Sequence, residues 1–117
     1  MNPEGFNVSK EWLTNFALRR IRERKDLCFQ YDRVVFTVGL DEPYLHIYAR
    51  NSGMGLLTAS YHFMQEVWPR VPHEFLLALI RQPRVATLAQ RFGWKEIGLH
   101  PSGARVFKAE RPDHELC

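Results

Sequence analysis

Cysteine is scarce in this chain of 117 residues, with Cys28 and Cys117 as its two representatives. That is too few for a disulfide framework, and the second stands at a chain end, so the expected setting is reducing and cytoplasmic. Long apolar runs are also missing. Nothing approaches the roughly 18 to 20 consecutive apolar residues that span a bilayer, which excludes a membrane partner of that kind. The opening MNPEGFNVSKEW lacks the basic-then-apolar layout of a signal peptide. His46, His62, His73, His100 and His114 show no pair at zinc-ligand spacing, so no metal is expected. No repeat, low-complexity tract or linker interrupts the chain, and residues 1–117 are read as one domain.

What is present is ordinary for a globular protein: 45% apolar, 13% aromatic and 25% charged residues leave enough apolar surface for one core. The formal net charge of +3 comes largely from RRIRERK at residues 19–25. A basic run can serve a nucleic acid. Glu23 and Asp26 interrupt this one, however, and it reads as the solvated face of a helix.

Ser9 is a good N-cap with Glu11 in the first turn. Trp12, Leu13, Phe16, Ala17 and Ile21 recur at helical spacing, predicting a helix over residues 9–25 with one buried face. RVVFTVG at 33–39 and YLHIYA at 44–49 read as strands of a hairpin around the turn LDEP. Leu56, Leu57, Ser60, Phe63, Met64 and Val67 mark a second helical face, which Pro69 and Pro72 must end. EFLLALIR at 74–81 fits either a helix or a strand buried on both faces. RVATLAQRFGW is a short helix with Val85, Leu88, Ala89 and Phe92 on one face and Gly93 as its C-cap. KEIGLHPSGARVFKAE closes as two extended pieces around a turn. The order predicts an α/β (α+β) fold: a small mixed sheet with flanking helices.

The segment Arg50-Asn51-Ser52-Gly53-Met54-Gly55 joins a strand to a helix, with two glycines one residue apart. Glycine costs backbone entropy, so such a pair suggests close approach of a ligand to the main chain. The first free N–H groups of a helix suit an anion.

Arg50-x-x-Gly53-x-Gly55 resembles the Arg/Gln-x-x-Gly-x-Gly/Ala signature of the GNAT superfamily of N-acetyltransferases, and lies between a strand and a long helix as it does there. RQPRVATLAQRFGWKEIG is similar to that superfamily's ending, with Gly93-Trp94 for Gly-Phe, and ARVFKAE would be the last strand. The likeness covers roughly residues 33–110. It implies an acyl-CoA N-acyltransferase-like fold and acetyl-CoA as cosubstrate. It implies further that Arg50, Asn51, Ser52, Gly53, Met54, Gly55 and Leu56 hold the pyrophosphate, and that an amine accepts the acetyl group.

The departures are specific. Ala89 stands where many members carry a tyrosine that protonates the leaving thiolate, and Gln82-Pro83 stands where asparagine is frequent. Little precedes Ser9 to form a first strand. Glu42, His46 and Tyr48 lie near the strand that would carry a base, and none is singled out, so the catalytic residues are not assigned. A shortened front with an intact back is similar to acetyltransferase-like domains of bacteriophages, some of which look like inactive virion or host-interaction proteins. A third reading is a helix-turn-helix protein, because RVATLAQRFGWKEIG resembles the first helix and turn of that motif. Only Lys95 to Leu99 follow before His100-Pro101, too few for a recognition helix.

Overall fold

The computed structural model describes residues 15–49 and 54–112. Ser9, Glu11, Trp12 and Leu13 of the expected first helix lie outside these residues, as do Arg50 to Gly53 and Cys117.

The first helix, α1 (Asn15–Arg22), buries Ala17 and Leu18. Leu18 sits with Cys28 and Val35 in a small cluster that Ile21 flanks. Phe16, expected on the buried face, is instead 56% exposed, with the Arg20 guanidinium 5.9 Å from its ring centroid. The helix turns the Ala17–Leu18–Ile21 edge inward, and Phe16 lies outside that arc. The helix also stops earlier than residue 25. Arg24 takes a left-handed φ of 59°, and the Lys25 and Arg24 amides bond back to the carbonyls of Arg20 and Ile21. That pair of bonds is a Schellman cap, made here without glycine.

The early stop frees Asp26–Tyr31 to form β1, a strand that the sequence reading did not foresee. It pairs antiparallel with β2 (Val34–Gly39), whose six residues are all buried, and β2 pairs antiparallel with β3 (Tyr44–Ala49). Next come α2 (Met54–Glu66), a 3-10 turn at Trp68–Arg70, and β4 (Phe75–Ile80). The ambiguous run at 74–81 is therefore a strand. Its residues alternate between half-buried and buried, and prolines on both sides hold it too short for a helix. Following it are α3 (Pro83–Arg91) and the hairpin β5 (Lys95–Leu99) and β6 (Arg105–Glu110), with Gly93 at φ 88° behind α3 as expected.

The six strands form one mixed sheet in the order β1-β2-β3-β4-β6-β5, which makes the fold α+β with three helices. The main core lies between this sheet and α2 and α3. Phe36 and Phe63 stack there at 4.3 Å, and Phe29 meets Phe63 edge-on at 5.3 Å. Phe29 and Phe36 come from neighbouring strands and Phe63 from α2, so the three rings fix the helix on the sheet.

One arginine sets where β4 begins. The Arg111 guanidinium donates to the carbonyl oxygens of Trp68, Val71 and His73 at 2.8, 2.6 and 2.9 Å. The Arg111 amide also bonds the Glu74 carbonyl, and the His73 ring reaches the Gly39 carbonyl at 2.7 Å. The link from α2 to β4 is thus tied to β6 on one side and β2 on the other.

Candidate functional site

β3 and β4 run parallel but pair only at Tyr44↔Leu77 and Leu45↔Ala78. Beyond that point the strands part. On its other edge β4 pairs with β6 through all six of its residues, so the parting is confined to one side. The divergence opens a cleft of about 790 Å³, within the range of small-molecule sites.

Four elements bound the cleft. The strands supply apolar inner walls, with Leu45 and Ile47 on one side and Ala78 and Ile80 on the other. Helix α2 contributes Leu56 and Leu57 from its first turn, and α3 contributes Arg84, Thr87, Leu88 and Arg91. Leu57 was expected in the core. It is 39% exposed because it faces this opening. The core face of α2 runs instead through Leu56, Ala59, Ser60, Phe63 and Val67.

Gly55, also in the first turn of α2, has open space where a Cβ would point, with no atom of the described residues outside its own helix within 4 Å. No packing reason therefore demands glycine there. Of the seven residues expected to hold a pyrophosphate, Gly55 and Leu56 stand at the cleft end of α2, and Met54 begins that helix. Arg50, Asn51, Ser52 and Gly53 lie outside the described residues.

The charges around the cleft have one sign. Arg81, Arg84 and Arg91 line it, and among the described residues no Asp or Glu does. Arg81 donates to the Ser102 carbonyl at 3.2 Å. Tyr48 and His46 also stand on the β3 wall. His46 is exposed at one edge, yet crowding by surrounding protein lowers its pKa below the usual 6.5, outweighing the opposing charge of Asp26. Asp26 itself is held by Arg20, which also bonds Asp41, while Arg19, Arg22, Glu23, Arg24 and Lys25 of the basic run stay exposed as the solvated face.

At the inner end of the cleft is a small apolar cavity of about 30 Å³, sharing Leu45, Ile47, Ala78 and Ile80 with it. Ala89 lines this cavity, together with Phe36, Phe92 and Trp94, and does not line the cleft. The space is near that of one water molecule.

Other candidates lose ground on geometry. Cys28 is buried, and desolvation pushes its thiol up to about 12, which leaves it without nucleophilic character. Among the described residues no three His, Cys, Asp or Glu side chains cluster as metal ligands. No described helix is long and apolar enough to cross a membrane. The residues after Gly93 form the strand β5. Arg84 and Arg91 were missed by the sequence reading, although their spacing of seven positions, nearly two helical turns, places them on one side of α3.

Comparison of the chain with protein-family models, curated proteins and solved structures finds no match.

Proposed function

We propose that the chain binds acetyl-CoA in the cleft between β3 and β4 and acts as a GNAT-like N-acetyltransferase on an amine, in the cytoplasm. The observation that carries this reading is the parting of two parallel strands after two residue pairs, at a cleft flanked by the glycine-bearing start of α2. The residues present suit such a ligand. Backbone beyond Leu45 and Ala78 has no strand partner across the gap, so it can hydrogen-bond an extended amide chain. The apolar walls suit the methylene portion of that chain, and the free N–H groups at the start of α2 suit phosphate oxygens. Gly55 leaves room for those oxygens to come close.

In the reaction, the amine nitrogen attacks the thioester carbonyl, and the tetrahedral adduct expels the thiolate. His46 stands on the β3 wall with its neutral form favoured, as suits a group that accepts the ammonium proton. No phenol stands at position 89 to protonate the thiolate, and Ala89 lines the small apolar cavity instead of the cleft. A positioned acid contributes on the order of 10²–10⁴ in rate, so turnover on simple amines is expected to be slow. Ala89 also favours a second reading, a binding protein of the same architecture that has given up transfer.

Thermal unfolding with and without acetyl-CoA tests the binding claim. A ligand that binds the native state raises Tm by mass action. Gly53→Val is expected to abolish the shift and keep the fold. No shift at millimolar CoA in the unaltered protein sinks the proposal.

A further inference from the structure

Most arginines near this sheet are committed. Arg20 holds Asp26 and Asp41, Arg105 holds Glu96, Arg111 holds three carbonyls, and Arg81 reaches Ser102. Among the described residues, the Arg84 and Arg91 side chains have no ion-pair or hydrogen-bond partner. Arg19, Arg22 and Arg24 share that freedom, but none of them lines the cleft.

Folding accounts for one of the two cleft residues and not for the other. Arg91 is in the last turn of α3, where a cation complements the helix dipole. Arg84 is in the first turn, where a cation opposes it, and no acidic residue stands there to compensate. A stabilising choice at that position is Asp or Glu. An arginine at the wrong end of the helix, exposed, and without an acidic partner or a facing carboxylate among the described residues, suits a ligand better than it suits the fold.

The two guanidinium groups also share a target. They are seven positions apart on one face of α3, roughly 10 Å along the axis at 1.5 Å per residue, so two extended side chains can converge on a group lying between them. Thr87 lies between them on the same wall, and its hydroxyl donates to the Pro83 carbonyl at 3.1 Å. That hydroxyl proton is spent on the helix itself, leaving Arg84 and Arg91 as the side-chain donors that α3 presents to the cleft.

We propose that Arg84 and Arg91 form a phosphate-monoester station on the α3 wall, recognising the ribose 3′-phosphate of the CoA nucleotide. This inference rests on the acyl-CoA reading above. The pyrophosphate belongs to the opposite wall, at the start of α2, so the α3 pair is left for the remaining phosphate. A monoester carries nearly two charges near neutral pH and three acceptor oxygens. One guanidinium neutralises half of that charge. Two, each presenting a planar fork of donors, match it.

Calorimetric titration with CoA and with 3′-dephospho-CoA tests this on the full chain and on the Arg84→Gln, Arg91→Gln double variant. Both arginines are exposed, and unchanged thermal melts of the unliganded proteins establish that the variant folds. The unaltered protein is expected to prefer CoA by roughly 10- to 100-fold, the size of one or two charge-assisted hydrogen bonds. The double variant is expected to lose that preference while keeping its affinity for 3′-dephospho-CoA. Equal affinity of the unaltered protein for both ligands overturns the station while leaving the acyl-CoA reading in place. A preference that survives in the double variant does the same, as does equal weakening of both ligands. Binding of neither ligand overturns the acyl-CoA reading, and this inference with it.

Discussion

The two edges of β4 are built for different purposes. Towards β6 the strand is paired along its whole length, with Ala78 opposite the fully buried Phe107. Towards β3 the pairing ends after Leu45↔Ala78, although β3 and β4 both continue. The same backbone is a sealed ladder on one side and an open wall on the other. Interrupting a parallel ladder leaves main-chain donors and acceptors unmatched, and a fold has reason to keep such a gap where a ligand completes it. The sealed side keeps β4 straight while the other side opens.

The largest effect is expected on the sealed side. Phe107→Ala should cost about 3–5 kcal/mol in urea unfolding, because Phe107 is fully buried where β4 and β6 meet the core. If the loss is under 1 kcal/mol, the β4–β6 edge is not the anchor described here. Arg111→Ala comes next, at about 2–3 kcal/mol, since it removes charge-assisted bonds to three carbonyls at the start of β4. Its unfolding midpoint should fall with little change in slope. An unchanged midpoint would mean that the neck of the cleft is held by other contacts.

On the open side the effects are smaller and opposite in sign. Gly55→Ala should stabilise the free protein by about 0.5–1 kcal/mol, because alanine replaces glycine within a helix where no described residue outside that helix crowds the new methyl. The same methyl should weaken CoA binding by obstructing phosphate oxygens. Stabilisation together with full binding would show that nothing approaches this backbone. The smallest effect concerns His46, whose folded-state pKa lies below its unfolded value near 6.5. Its neutral form favours folding, so its contribution is present above that pH and lost as pH falls through the lowered folded value. Asp26, held by Arg20, moderates the loss. His46→Gln should flatten the stability profile between pH 7 and pH 5, and an unchanged profile assigns the slope to other groups.

The sequence made β2, β3, α2, α3 and the closing hairpin readable, because alternation, helical spacing and prolines mark them plainly. It hid β1, since the end of α1 is a Schellman cap on Arg24, and nothing about arginine announces a left-handed residue. It hid the outward turn of Phe16 and Leu57 for a related reason. Periodicity gives the width of an apolar stripe, but whether a margin residue faces core or cleft depends on the tertiary neighbour. At the site, the glycine pair pointed to the start of α2, and Gly55 and Leu56 do stand at the cleft end of that helix. The facing arginines on α3 could have been found from their spacing of seven, but only the parting of β3 from β4 makes that face a wall.

The central claim is that the opening between β3 and β4 is a CoA site. An amide NMR titration of the isotope-labelled chain with CoA tests it most directly. The account predicts that the perturbed amides fall in residues 46–49, 54–57 and 79–91, while β1 and the β4–β6 ladder below Ala78 stay still. Perturbations confined to α1, or none at millimolar CoA, would contradict it.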